Sequence, residues 1–134
     1  MIVKNYPQKT LSKEINLTGI GLHSGDQINI ALKPAEENQG FVFIRTDLNP
    51  NISIPALANF VSKTDRLTTI SKEGVEIKTI EHILAALVGC GINNCIIETS
   101  GGEIPIMDGS SIKFVEAIQK TGIKEQNALQ EVFE

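Results

Sequence analysis

The chain has 134 residues, of which 41% are apolar and 21% charged, as expected for one globular domain with its own hydrophobic core. The net charge of −4 and the lack of any Lys/Arg block exclude an extended basic surface for nucleic acid or anionic membranes. No apolar run reaches the roughly 20 residues of a membrane-spanning helix. The first ten residues contain no apolar signal segment, so we expect a cytoplasmic protein.

The first half of the chain has the pattern of β-strands. In residues 26–34 (DQINIALKP), isoleucine and leucine alternate with more polar residues, which is the period of a half-buried strand. A second apolar run follows at 40–47 (GFVFIRTD), and we predict that these two strands pair antiparallel. Residues 66–78 (RLTTISKEGVEIK) predict a β-hairpin with its turn at 72–74.

The pattern changes at Thr79. Residues 79–89 are rich in Leu and Ala and lack Pro, which predicts a helix. Thr79 is the predicted N-cap, and Gly89 or Gly91 is the predicted end. Residues 95–98 (CIIE) are short and β-branched, and they predict a further strand.

A second helix is predicted over Ser111–Thr121, capped by Asp108 or Ser110 and stopped by Gly122. The order of strands, helix, strand and helix predicts an α+β fold. In this two-layer sandwich, a mostly antiparallel sheet packs against two helices. The tail from Lys124 has no stop signal and ends in residues that resemble the start of another strand, so we expect the chain to continue into a further domain.

Two cysteines, Cys90 and Cys95, flank the residues GINN within an apolar stretch. We interpret them as small buried hydrophobic residues. A disulfide or a pair of metal ligands is the alternative.

An adjacent glutamate and histidine, Glu81 and His82, open the otherwise apolar helix 79–89. The helix dipole favours a carboxylate in the first turn and disfavours a protonated imidazole. Histidine at this position is therefore expected to be neutral, which is the form that binds metal. A carboxylate beside a metal-bound histidine is the arrangement of a zinc hydrolase.

The Glu-His dipeptide does not by itself specify a metal site. His82 can equally be a histidine packed at the edge of the core, and Glu81 a charge that suits a helix start. The other histidine, His23, lies in a glycine-bracketed turn that indicates backbone geometry. A catalytic zinc usually has three protein ligands, so these residues alone do not complete a zinc site.

Four stretches together resemble the UDP-3-O-acyl-N-acetylglucosamine deacetylase family, the zinc enzymes of lipid A synthesis. They are GIGLHSG (19–25), FIRTDLNP (43–50), TIEHILAAL (79–87) and EIPIMDGSS (103–111). The resemblance extends from about residue 2 to residue 123. No single motif is specific, but the series over a whole domain is.

The resemblance implies two similar α+β domains with the active site between them. Residues 1–123 would then be the N-terminal domain, and residues 124–134 a linker or the start of the second domain. A small inserted β-hairpin would border the cleft. The zinc ligands that this chain lacks would come from the C-terminal half, which is thus an expected partner.

The resemblance also implies roles for individual residues. Glu81 would be the general base, His82 a zinc ligand, and Leu67 a substrate contact, with hairpin packing as the alternative for Leu67. His23 is expected to have a structural role, with substrate contact as its alternative. Asn93 stands where the family usually has aspartate, which affects a local hydrogen bond in the turn after the helix.

The function implied is hydrolysis of the acetamide of UDP-3-O-acyl-N-acetylglucosamine with zinc as cofactor. Because the chain has one implied ligand where three are needed, we expect it to be inactive in isolation. Two alternatives stay open: a stand-alone binding module that has lost catalysis, and a purely structural domain in which His82 is packed in the core.

Overall fold

The computed structural model describes residues 3–63, 67–107 and 111–133. The described residues contain ten strands, two helices and a short 3₁₀ turn at Ala58–Phe60. The strands are β1 (Val3–Leu11), β2 (Ile15–Ile20), β3 (Gln27–Pro34), β4 (Phe41–Arg45), β5 (Ile52–Pro55), β6 (Val61–Lys63), β7 (Thr69–Lys72), β8 (Val75–Lys78), β9 (Cys95–Thr99) and β10 (Ile123–Phe133). The helices are α1 (Glu81–Gly89) and α2 (Ile112–Thr121).

The main sheet has five strands in the order β2-β3-β9-β4-β5, and all its pairs are antiparallel except β4 with β9. The predicted antiparallel pair of residues 26–34 with 40–47 is wrong, because β9 lies between β3 and β4. Its residues Cys95, Ile97 and Thr99 are fully buried. Strand β9, from the second half of the chain, thus occupies the centre of the sheet, between the two strands that were predicted to pair with each other.

The α+β prediction is confirmed. Ile83 and Leu87 of α1 and Phe114 and Ile118 of α2 are fully buried, in one core with the apolar residues of the sheets. Helix α1 contacts α2 directly. The core therefore lies between the two helices and the strands, and it fixes the orientation of α1.

The predicted hairpin is confirmed as β7 and β8, and β6 adds a third strand to it. Lys72 pairs with Val75, so the turn consists of Glu73 and Gly74, with φ of 54° and 79°. A two-residue turn with both φ values positive matches the twist of the flanking strands. The inserted hairpin is thus a three-stranded sheet, and Arg66 lies outside the described residues.

Helix α1 starts at Glu81, one residue later than an N-cap at Thr79 predicts, and Thr79 is not its N-cap. Ile80 is the N-cap and offers no side-chain hydrogen bond to the helix. Thr79 has a φ of 63°, whereas an N-cap residue normally has extended backbone angles. The carbonyl oxygen of Thr68 accepts the N–H groups of Thr79 (2.9 Å) and Ile80 (3.3 Å), so tertiary contacts override the local capping preference. At its other end, α1 finishes at Gly89, and Gly91 supplies the left-handed residue with φ of 79°.

Helix α2 confirms the second predicted helix, and Gly122 ends it with φ of 103°. Ser111 precedes α2 without a side-chain cap bond. The predicted caps Asp108 and Ser110 lie outside the described residues. Within the part of the chain that is described, no helix is long and apolar enough to span a membrane.

The tail forms the predicted strand, β10, which pairs antiparallel with β1. Asn94 ties this two-stranded sheet to the core: its amide nitrogen donates to Gln8 (2.9 Å) and Gln126 (2.8 Å), and its oxygen accepts from the Gly40 N–H (2.8 Å). Asn93 accepts from the Lys9 N–H and donates to Gln130 at 3.0 Å. An aspartate there would keep the first bond and lose the second, because it has no N–H.

The two cysteines are free thiols. Cys95 is fully buried, and burial raises the pKa of its thiol to about 12. Cys90 is half-buried, and burial raises its pKa as well. Both remain protonated at neutral pH, which agrees with their interpretation as small apolar residues.

We predict that Thr79→Val changes the free energy of unfolding by less than about 0.5 kcal/mol. The Thr79 hydroxyl is buried and has no hydrogen-bond partner within the described residues, so its removal costs no bond. Loss of a true N-cap would cost about 1 kcal/mol. Urea denaturation measures the difference.

The matched control for that experiment is Thr10→Val. The Thr10 hydroxyl is also buried, but it donates to the Asn94 carbonyl (2.6 Å) and accepts from the Ala35 N–H (2.9 Å). Its loss should cost about 1–3 kcal/mol. A larger loss from Thr79→Val than from Thr10→Val would contradict the assignment of the helix start.

Candidate active site

Glu81 and His82 occupy the first turn of α1, as the sequence predicts, and both side chains are half-buried. The next residue, Ile83, is fully buried, and Ala86 and Leu87 continue the buried face one turn later. Packing of that face holds the axis of α1 against the core. The two adjacent polar residues therefore lie at the boundary between the core and the surface.

The Glu81 carboxylate has a backbone partner. The N–H of Thr68 donates to it, at 3.2 Å to Oε2 and 3.4 Å to Oε1. Thr68 immediately precedes β7, so this bond joins α1 to the three-stranded sheet. Neither motif spacing nor periodicity indicated Thr68. Its contact with Glu81 depends on a turn of the chain between β8 and α1 that local sequence does not specify.

His82 has no hydrogen-bond or ion-pair partner among the residues the structure describes. Within those residues, neither imidazole nitrogen is engaged. A histidine that binds a metal needs at least one ring nitrogen in this state. Imidazole nitrogen and carboxylate oxygen are donor types that zinc accepts. No cluster of three or more His, Cys, Asp or Glu side chains suited to a metal occurs in the described ranges. Glu81 and His82 therefore have donor chemistry that is compatible with zinc.

Leu67 is half-buried and directly precedes Thr68, whose N–H contacts Glu81. This places its backbone next to the Glu-His pair and at the border of the inserted sheet. Its contact with a substrate stays a prediction.

His23 lies in the loop after β2 with its side chain exposed. The N–H groups of His23 and Ser24 donate to the Glu103 carboxylate, at 3.1 Å and 2.9 Å to Oε1. A Cβ atom at Gly21 would overlap this carboxylate, so the turn closes around it only with glycine there. These contacts of the backbone support a structural role for the turn.

Glu103 itself was not singled out from the sequence. It is 3% exposed and begins the stretch EIPIMDGSS, where no periodicity indicates its burial. Burial favours its neutral form, but the N–H groups of Ser24 and His23, the Ser24 hydroxyl and the His23 imidazole outweigh that effect. The pKa of Glu103 consequently lies below its usual value.

A groove of about 900 Å³ lies at the end of the main sheet where β4 and β9 finish. Neither Glu81 nor His82 lines it, so the groove and the Glu-His pair are separate features of this chain. Its titratable lining residues include His23, Asp26, Arg45, Asp47, Glu76, Lys78 and Glu103.

Arg45 and Asp47 form an ion pair. The guanidinium contacts both carboxylate oxygens, at 2.9 Å and 2.6 Å, and it also donates to the Glu76 carbonyl at 3.1 Å. The hydrogen bonds from Arg45 hold the pKa of Asp47 below its usual value. The pair therefore links β4 to β8 and forms one wall of the groove.

Comparison with known proteins decides the family. The family model described as UDP-3-O-acyl N-acetylglycosamine deacetylase matches residues 8–134, which is nearly the whole chain. The chain belongs to this deacetylase family.

Individual relatives carry the name UDP-3-O-acyl-N-acetylglucosamine deacetylase. The chain is 48% identical to the one from Myxococcus xanthus over 128 residues, which covers 96% of this chain and 41% of the relative. It is 53% identical to the one from Hahella chejuensis over 121 residues, which covers 90% of this chain and 40% of the relative. The chain thus spans about two fifths of the length of the curated relatives it matches.

Membership of the deacetylase family agrees with the chemistry of the described site. The chain carries an adjacent glutamate and histidine at a helix start. Its three-stranded inserted sheet contacts the glutamate through Thr68.

We predict that Glu103→Gln lowers the free energy of unfolding by about 2 kcal/mol at pH 7, because the amide replaces a charged acceptor of N–H groups. The folded-state pKa of Glu103 is lowered, so its stabilisation is present above the unfolded pKa of about 4.3 and is lost as pH falls through the folded value. The difference between wild type and variant should shrink below about pH 4.

Urea denaturation at a series of pH values measures that difference. Glu37→Gln, at an exposed glutamate, is the matched control and should have little effect. A difference for Glu103→Gln that stays constant from neutral to acid pH would show that ionised Glu103 does not hold the turn.

Proposed function

We propose that this chain is the N-terminal part of a zinc-dependent deacetylase that hydrolyses the acetamide of UDP-3-O-acyl-N-acetylglucosamine in lipid A synthesis. We place its N-terminal domain at residues 1–123, and residues 124–134, which contain the main part of β10, the strand that pairs with β1, connect it to the second. The support is family membership together with relatives that carry this substrate in their name and are more than twice as long as this chain.

One observation carries the proposal for the site. Glu81 and His82 stand side by side in the first turn of α1, Glu81 with a backbone donor and His82 without any partner among the described residues. A carboxylate held in place and an imidazole left available are the two groups that a metal hydrolase needs at one side of its metal. A core-packing role for His82 would not require its neighbour to be oriented.

The residues of this chain have distinct roles in that reaction. Zinc, when bound, supplies an acidified water and polarises the amide carbonyl. His82 holds the metal through a ring nitrogen, and the remaining ligands come from the C-terminal part. Glu81 accepts the proton that the attacking water loses. Leu67, at the border of the inserted sheet, contacts the substrate.

We place this reaction in the cytoplasm. Free Cys90 and Cys95 suit a reducing compartment, where thiols are kept unpaired. The expected partners are the UDP-linked substrate and the C-terminal part of the same enzyme.

We predict that Glu81→Gln in the full-length enzyme lowers kcat for acetate release by about 100-fold or more, with little change in KM. General-base catalysis typically contributes 10²- to 10⁴-fold, roughly, and glutamine cannot accept the proton. His82→Ala should lose activity and also bound zinc, measured by metal analysis of the purified protein.

Two exposed positions on α2 give matched controls for these variants, Glu116→Gln and Gln119→Ala. Both should retain normal kcat and zinc content. A near-normal kcat in Glu81→Gln would show that Glu81 is not the general base. A full-length wild-type protein that binds the substrate without releasing acetate would instead indicate a binding module.

A further inference from the structure

Within the part of the chain that the structure describes, the backbone of Thr68 forms hydrogen bonds with three consecutive residues, 79 to 81, where the chain enters α1. Its N–H donates to the Glu81 carboxylate at 3.2 Å and 3.4 Å. Its carbonyl oxygen accepts from the N–H of Thr79 at 2.9 Å and of Ile80 at 3.3 Å. One residue of the inserted sheet thus contacts each position from 79 to 81.

Thr79 explains why these contacts are needed. Its φ of 63° is a left-handed conformation that β-branched residues rarely adopt. Such a conformation persists only when the surrounding structure holds it. The two N–H groups that flank the Thr79 α-carbon donate to the same Thr68 oxygen, and this pair of bonds holds the left-handed turn.

Apart from the burial of the Ile80 side chain in the core, the start of α1 has no side-chain anchor among the described residues. The N-cap Ile80 has no side-chain hydrogen bond, and the Thr79 hydroxyl has no partner. The Thr68 backbone therefore supplies the hydrogen bonds that hold the entry into the first turn. Thr68 directly precedes β7. Thr69, the first residue of β7, pairs with Lys78, the last residue of β8 before the chain turns into α1.

We propose that the backbone of Thr68 is the positioning group of this active site. Its carbonyl sets the turn that directs α1, and its N–H holds the Glu81 carboxylate in one orientation beside His82. This inference rests on the proposed function and adds a residue to it. The side chain of Thr68 takes no part, because its hydroxyl makes no hydrogen bond within the described ranges.

The consequence for catalysis is geometric. A general base must lie within hydrogen-bond reach of the proton it removes, and a misplacement of about 1 Å costs on the order of 100-fold in rate. Without the Thr68 N–H, the Glu81 side chain can adopt other rotamers in the half-buried first turn. We therefore expect kcat to fall while substrate binding is retained.

The test replaces one backbone N–H. Full-length enzyme is prepared with Thr68→Val and, separately, with the α-hydroxy acid analogue of valine at position 68, which substitutes an ester for the amide. Thr68→Val is the reference for the ester, because it has the same side chain and keeps the backbone N–H. Relative to Thr68→Val, the ester should lower kcat tenfold to 100-fold, roughly, with little change in KM.

A matched ester with lactate at Ala56 controls for the loss of a backbone bond as such. The Ala56 N–H donates to the Phe41 carbonyl at 2.9 Å, at the end of β5 in the main sheet. This ester should lower stability without lowering kcat. An ester at position 68 that has the kcat of Thr68→Val, or that raises KM alone, would overturn the proposal.

A second measurement does not depend on activity. Amide hydrogen exchange of Thr68, followed by NMR in the full-length protein, should be slow in wild type and faster in Glu81→Ala, and unchanged in Glu116→Ala. Equal exchange in all three would show that the contact with Glu81 does not hold Thr68. If exchange responds as expected but wild type releases no acetate, the contact stands and the proposed deacetylase function fails.

Discussion

The site depends on how the chain passes from β8 into α1. The last strand of the inserted sheet ends at Lys78, and the helix that carries Glu81 and His82 starts three residues later. No side chain caps this helix, and the turn runs through a left-handed Thr79. An unfavourable backbone conformation and an uncapped helix start are tolerated because the neighbouring strand supplies the missing hydrogen bonds. The same bonds orient the carboxylate.

Both apolar packing and hydrogen bonds hold the junction between β8 and α1. Burial of Ile80, Ile83 and Leu87 fixes the axis of α1, but it does not provide acceptors for the N–H groups at the start of the helix. Hydrogen bonds from Thr68 complete the constraint at that end. At the end of the main sheet, buried Glu103 fixes the turn of His23 through backbone N–H groups. In both places, hydrogen bonds between one carboxylate and backbone N–H groups fix a loop in addition to apolar packing.

Local patterns predicted the elements, and tertiary contacts decided how they join. Alternation found β3, the Leu- and Ala-rich run found α1, and Gly122 marked the end of α2. The β3–β4 pair was wrong because β9, far along the chain, competes for the same edges with fully buried residues. Capping preference predicted Thr79 as the N-cap, but it takes no account of the Thr68 carbonyl, a hydrogen-bond acceptor eleven residues earlier. The sequence predicted the Glu-His pair because two titratable residues open an apolar run. It could not predict Thr68, because the backbone of Thr68 makes the contacts and its side chain does not.

The central claim is that this chain supplies one ligand of a zinc site that the rest of the enzyme completes. Calorimetric titration of zinc into the 134-residue chain, beside its His82→Ala variant, tests it most directly. The account predicts no binding, or weak binding that disappears in the variant, since a single imidazole cannot hold zinc tightly. Tight one-to-one binding by the wild-type chain would show that it completes the site itself, and would contradict the account.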